Sequence, residues 1–197
     1  MFYAIIRGLF KIFLMFLGLK VEGLHNLPKT GPVIVAANHV SNWDPILVGV
    51  ALSRPIHFMA KAELFENALL RVILRGLNAF PVNRGTADRN AIRQALARLQ
   101  SGEMLGIFPE GARRKVAPQA GIQPGVAMLA IKSGSVVVPV AVTGTEGRFP
   151  CGWCRDLRVR IGEPMDLVSY RGEKPNSALL GRVSQEIMAQ INLLLCK

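Results

Sequence analysis

Apolar positions in this chain follow two periods. Residues 33–37 form a short, wholly apolar run of strand length, and residues 56–60, 79–82, 104–108 and 136–142 are similar. Leu157, Val159 and Ile161 alternate with charged residues, the pattern of an edge or half-exposed strand. Helical periods lie between these runs. Residues 64–77 make one. Thr86 is placed to cap another, with Ile92, Ala95, Leu96 and Leu99 facing inward. Residues 124–133 make a third, with proline in the first turn and Gly134 past the end. Near-continuous apolar strands alternating with helices predict a single α/β domain with a largely parallel central sheet flanked by helices.

The first twenty residues differ from the rest. MFYAIIRGLFKIFLMFLGLK is apolar except at Arg7, Lys11 and Lys20. The charges interrupt the apolar stretch and no small-residue cleavage site follows, so it does not read as a signal peptide. Wound as a helix, Tyr3, Arg7, Lys11 and Gly18 form one narrow stripe. Ile5, Ile6, Leu9, Phe10, Ile12, Phe13, Phe16 and Leu17 cover the remainder. A broad apolar face with a thin cationic one predicts an amphipathic helix lying in a membrane surface. Packing on the domain's own core is the alternative. A full span is disfavoured, because Arg7 and Lys11 would each cost ~2.5–3.5 kcal/mol near the bilayer centre. The expected organisation is therefore a membrane-associating helix at 1–20 and a folded domain at 21–197. Residues 64–77 are apolar apart from Glu66, Asn67, Arg71 and Arg75, and fit either a second membrane contact or a core helix.

Composition narrows the partners. With 197 residues, 50% of them hydrophobic and 19% charged, the chain is long and apolar enough for one buried core, which excludes disorder. Its net charge of +11 favours anionic partners. Two Trp, two Tyr and no RNA-binding or zinc-finger spacing point to lipid rather than nucleic acid, as does a mean hydropathy of +0.31. No uncharged apolar run approaches the ~20 residues of a spanning helix. Three cysteines suit a reducing compartment. Cys151-Gly152-Trp153-Cys154 lacks the further ligands of a zinc site, and its flanks read as a loop.

Chemistry-bearing residues follow the strands, where ligands of open α/β sheets bind. After residues 33–37 comes Asn38-His39-Val40-Ser41-Asn42-Trp43-Asp44-Pro45. His39 is a general-base candidate, and Asp44 can return across a helical turn to accept its Nδ1 hydrogen bond. Asn38 and Ser41 also fit a plain capping role. After residues 104–108 comes Pro109-Glu110-Gly111-Ala112-Arg113-Arg114-Lys115, with three cations beside a glycine that permits close approach, which suits a phosphate or a solvated loop. After residues 79–82, Asn83-Arg84-Gly85 adds another arginine.

In order and spacing, Asn38-His39-x-Ser41-x-x-Asp44, Phe80-Pro81-x-x-Arg84, Phe108-Pro109-Glu110-Gly111-x-Arg113 and Val138-Pro139-Val140 resemble the four blocks of the glycerolipid acyltransferases, above all the bacterial 1-acyl-sn-glycerol-3-phosphate (lysophosphatidate) acyltransferases. Met59-Ala60-Lys61-Ala62-Glu63-Leu64-Phe65 is similar too, and the resemblance covers roughly residues 20–165. It implies that His39 deprotonates the glycerol hydroxyl and Asp44 orients it. It implies that Arg84 and Arg113 take the acceptor's phosphate, Glu110 and Gly111 shape that site, and Lys61 lies near the acceptor. Val138-Pro139-Val140 reads as sheet core beside the acyl path.

The implied reaction moves a fatty acyl group from the thioester of coenzyme A or acyl carrier protein to the sn-2 hydroxyl, giving phosphatidic acid for phospholipid synthesis. The thioester is a co-substrate. No bound cofactor, metal or nucleic acid is expected. The expected location is the cytoplasmic face of the cell membrane, peripheral or monotopic. The third block departs from the family's usual Glu-Gly-Thr-Arg-Ser at Ala112 and Arg114, which leaves another lysolipid or polar-lipid acceptor open. A non-catalytic anionic-lipid binding protein is the reading from another class; an intact His39/Asp44 pair argues against it.

Overall fold

The computed structural model describes residues 2–83, 88–111, 122–146, 150, 155–170 and 175–197. The strands are β1 (Lys20–Glu22), β2 (Val33–Ala37), β3 (Ile56–Lys61), β4 (Ala79–Val82), β5 (Met104–Ile107), β6 (Val136–Thr143) and β7 (Arg158–Ile161). Together they form one sheet in the order β1-β7-β6-β2-β5-β3-β4. From β6 to β4 every pairing is parallel. β7 runs antiparallel to β6, and β1 runs parallel to β7.

β2 sits at the centre and is buried on both faces, as its unbroken apolar run requires. Its alternate residues feed two separate cores. Val33, Val35 and Ala37 join Leu14, Leu47, Val48 and Leu52, from the helices α1 (Phe2–Phe16) and α2 (Asp44–Ala51) and the residue after α2. Ile34 and Ala36 join apolar residues of α4 (Arg89–Gln100), α5 (Gly125–Ser133) and α6 (Ser177–Leu195). The result is three layers, with the carboxyl ends of β2, β3, β4, β5 and β6 along one edge.

Pro139 lies inside this sheet. Val137 N–H points away from β2, to Met165 O at 3.0 Å, so the nitrogen of Pro139, two residues on, faces the same way. The β7 ladder ends at the pair Val140–Ile161; one step on, Gly162 N donates to Pro139 O at 2.8 Å and proline has no N–H to return the bond, so the pairing stops there.

Four expectations are corrected. The strand at 158–161 is not at the edge; β1 covers it, and Val159 and Ile161 are buried. β1 itself is three residues long, too short to leave a periodic signal. The helix expected over 64–77 is a 3-10 turn, Ala62–Phe65, followed by α3 (Ala68–Gly76). Asn67 divides them because its side chain accepts from Leu69 N (3.0 Å) and Leu70 N (3.1 Å), starting a new helix. The cap of α4 is Asp88, not Thr86, which lies outside the described residues. Asp88 Oδ1 accepts from Asn90 N and Ala91 N, both at 3.0 Å.

The stripe on α1 is the fourth. Arg7 turns inward rather than forming an outer cationic face. Its Nε donates to Gly49 O at 3.1 Å and its guanidinium also donates to Leu52 O, two carbonyls at the end of α2. Tyr3 OH accepts from Ile56 N at 3.3 Å. Orphan carbonyls at a helix end attract a cation, which decides the rotation of α1. Leu14 is wholly buried, while Ile5, Leu9, Ile12, Phe13, Met15 and Phe16 are left exposed.

Two outcomes follow from this packing. Gly106 pairs with Phe58, and a Cβ on it would lie 2.2 Å from the Phe58 ring. Gly106→Ala should therefore cost ~1–3 kcal/mol, the usual penalty for overpacking a core, read by denaturant titration. His57 is enclosed between Arg98, whose Nη1 donates to Nδ1 at 2.7 Å, and Glu103, whose Oε2 is 3.1 Å from Nε2. Burial, and then the Arg98 guanidinium, push the His57 pKa below its ordinary 6.5. Below 6.5 the unfolded chain therefore binds the proton more readily than the folded one, and stability should fall as pH drops from 6.5 toward the lowered folded value. Unfolding midpoints measured across pH 5–7 should show this slope in the wild type and lose it in His57→Gln.

Candidate active site

The segment leaving β2 is held at both ends. Asn38 uses its amide as a strand residue would: Nδ2 donates to Val142 O at 2.9 Å and Oδ1 accepts from Val142 N at 2.7 Å. The chain thus stays pinned to β6 after the ladder has ended. Its role is not the capping one considered from sequence. Ser41 Oγ accepts only weakly, from Trp43 N at 3.4 Å.

Asp44 opens α2 and has no exposed surface. Its Oδ2 accepts from Val40 N and Ser41 N, both at 2.7 Å, and stands 3.0 Å from His39 Nδ1. Oδ1 accepts from Thr145 Oγ1 at 2.6 Å. A buried carboxylate is costly unless hydrogen-bonded, and this one is bonded on both oxygens. His39 therefore donates Nδ1–H to Asp44, which leaves Nε2 as the unprotonated, proton-accepting nitrogen. The ring of Phe108 stacks on the imidazole, with centroids 4.2 Å apart and 22° between planes, and Phe58 stacks behind Phe108 at 5.8 Å. The imidazole is fixed by its edge and by its face.

His39 lines one part of a cleft of about 600 Å³. The rest is apolar. Ile6 and Phe10 come from α1, Ile46 and Val50 from α2, Phe58 from β3, and Leu74 and Leu77 from the end of α3. Helices α1 and α3 border it, so the helix expected to meet lipid also walls the cavity. Tyr3 and Arg7 are lining residues that sequence reading did not assign.

The remaining candidates divide. Lys61 borders the cleft with its Nζ 2.9 Å from Glu63 Oε1, both half exposed. Glu110 is buried two residues after the Phe108 that packs on His39. Gly111 has φ +67°, and a Cβ there would come within 2.7 Å of Gln123 Cγ, so a side chain is excluded by both backbone and space. Arg84 and Arg113 lie outside the described residues, as do Ala112, Arg114 and the Cys151–Cys154 pair. Thr145, bonded to Asp44, and Phe108, stacked on His39, are contacts of the pair that sequence reasoning did not assign. Phe108 carries no titratable chemistry, and Thr145 is 101 residues from its partner.

Among known proteins, the model of the acyltransferase family matches residues 18–143. The 1-acyl-sn-glycerol-3-phosphate acyltransferase of Bacillus subtilis is 30% identical over 176 residues, 88% of this chain and 86% of that protein. The protein of the same name from Streptococcus pneumoniae is 31% identical over 200 aligned positions, 98% of this chain and 73% of that one. The crystal structure of the 1-acyl-sn-glycerophosphate (LPA) acyltransferase PlsC from Thermotoga maritima superposes with a TM-score of 0.70 at 27% identity, covering 99% of this chain and 80% of that one. With a match over more than half its length, and with the His39–Asp44 pair at a strand end beside an apolar cleft, the chain belongs to the acyltransferase family.

Proposed function

We propose that this protein transfers a fatty acyl group from an acyl thioester to the sn-2 hydroxyl of 1-acylglycerol-3-phosphate, giving phosphatidic acid. The relatives named above carry that activity in their names. The observation that carries the reading here is a buried Asp44 bonded to Nδ1 of a His39 that lines a largely apolar cavity. A lipid-binding protein has no need of an oriented base. The cleft's apolar walls suit a fatty chain, and the donor is a thioester of coenzyme A or acyl carrier protein.

The chemistry balances without an enzyme nucleophile. His39 Nε2 takes the proton of the sn-2 hydroxyl as its oxygen attacks the thioester carbonyl. The C–S bond breaks as the tetrahedral intermediate collapses, and the imidazolium returns the proton to the departing thiolate. Asp44 fixes the tautomer and stabilises the imidazolium. Arg84 and Arg113 are assigned to the acceptor's phosphate, with Glu110 and Gly111 shaping that side and Lys61 near the acceptor. Ala112 and Arg114, which depart from the family's usual residues, favour testing other lysolipid acceptors beside lysophosphatidate.

The lipid substrate must come from a membrane. Among the described residues no helix is long and apolar enough to cross one. The exposed apolar residues of α1 are joined by Leu69, Leu70, Val72 and Ile73 on α3, and both helices border the cleft. We assign these faces to the cytoplasmic membrane surface, with the protein attached peripherally and the cleft opening between them.

Acyl transfer by the purified protein, offered lysophosphatidate and other lysolipids with acyl-CoA and acyl carrier protein in parallel, tests the reading. Absence of transfer to every acceptor contradicts it. His39→Ala should lower turnover by at least ~10²-fold, the usual cost of losing a general base, and Asp44→Asn should lower it too. Near-native turnover in His39→Ala would remove the proposed base. The membrane assignment is checked by cosedimentation with anionic vesicles. Ile12→Glu with Phe16→Glu, at two exposed positions of α1, should lower vesicle binding at least tenfold while activity on a short-chain soluble acceptor persists; unchanged binding would place the contact elsewhere.

A further inference from the structure

Thr145 lies past the end of β6, two residues after Thr143, and has no exposed surface. Its place depends on Gly144. That residue has φ +82°, and a Cβ on it would lie 2.8 Å from both Asp156 O and Leu157 Cα. Only glycine makes this turn, and the turn brings Thr145 back against the start of α2. There its hydroxyl donates to Asp44 Oδ1 at 2.6 Å. Valine would match the side chain's shape and suit the neighbouring apolar strand equally well. A buried hydroxyl is costly unless bonded, so the hydroxyl is explained by what it bonds.

The other oxygen of Asp44 is the one facing His39 and the amides of Val40 and Ser41. Without a donor at Oδ1, that buried oxygen could satisfy itself only by turning the carboxylate toward the two amides or by admitting water. Turning moves Oδ2 off His39 Nδ1, and a water holds the carboxylate less firmly than a hydroxyl fixed by the fold. We infer that Thr145 is a positioning residue for the base: acting through Asp44, its hydroxyl holds His39 in the tautomer and orientation that proton abstraction needs. Asn38, bonded at both ends of its amide to Val142, keeps the two chain segments in the register this contact requires. The inference rests on the acyl transfer proposed above, and its test separates the two.

The experiment compares Thr145→Val and Thr145→Ser, each also combined with His39→Ala, with the wild type in the same acyl-transfer assay. Loss of one hydrogen bond to a charged group corresponds to ~10–100-fold. Thr145→Val should lose that much kcat, with KM for both substrates within about twofold, and Thr145→Ser should recover most of it. Adding Thr145→Val to His39→Ala should cost nothing further, because residues that act through one another are not additive. Amide exchange at Val40 and Ser41 should speed up in Thr145→Val while that of β2 holds, a readout independent of turnover. Should valine fail to fold, Thr145→Ala is held to the same criteria. A folded Thr145→Val with kcat within twofold of wild type, or one that adds its full loss on top of His39→Ala, overturns the inference. A wild type without acyl transfer overturns the proposed function instead, and unchanged exchange at Val40 and Ser41 would then overturn this inference too.

Discussion

Asp44 is a charge with no exposed surface, and the geometry of the site follows from how it is satisfied. Among the described residues four donors meet its two oxygens: two backbone amides, the imidazole of His39 and the hydroxyl of Thr145. The four donors impose three constraints. The amides fix the turn between β2 and α2, the imidazole is thereby oriented toward the cleft, and the hydroxyl ties this turn to the end of β6. A buried carboxylate that lost these partners would be strongly unfavourable. The fold's interest in solvating the charge and the chemistry's interest in orienting the base therefore coincide.

One face of the imidazole is set by packing. Gly106 leaves room for Phe58, Phe58 lies behind Phe108, and Phe108 lies on His39. This chain of contacts joins the centre of the sheet to the base without a polar atom. A second chain runs from the amino terminus. Arg7 closes the end of α2, whose first residue is Asp44, so α1 is tied to the same helix that carries the carboxylate. The apolar outer side of α1 is a consequence: once Arg7 answers the carbonyls of α2, the greasy residues are left to face outward.

Much of this was legible in the sequence, for physical reasons that also mark where legibility ends. β2, β5 and β6 read correctly because strands buried on both faces must be apolar throughout, and no helix gives so short a run; β3 and β4, part-buried toward one edge of the sheet, read because their runs are still mostly apolar and short. β1 did not read, being three residues long. The break within 64–77 does not show in the periodicity, because apolar residues continue on both sides of Asn67, whose side chain starts a new helix. His39 and Asp44 were recognisable because they stand only five residues apart, and the ordered blocks around them resemble a known family. Thr145 leaves no local trace, since its meaning arises from a contact across 101 residues. The inward turn of Arg7 was likewise invisible, because a helical wheel shows which residues share a face but not which face meets a neighbour.

The central claim is that an oriented imidazole activates the acceptor hydroxyl directly, with no acyl group carried on the enzyme. Rapid mixing of the wild-type protein with a radiolabelled acyl thioester, in the absence and then the presence of lysophosphatidate, tests it most directly. The account predicts no thiol release and no label on the protein until the acceptor is added, followed by label appearing in the lipid. A burst of thiol equal to the enzyme concentration without acceptor, with label retained on the denatured chain, would contradict it.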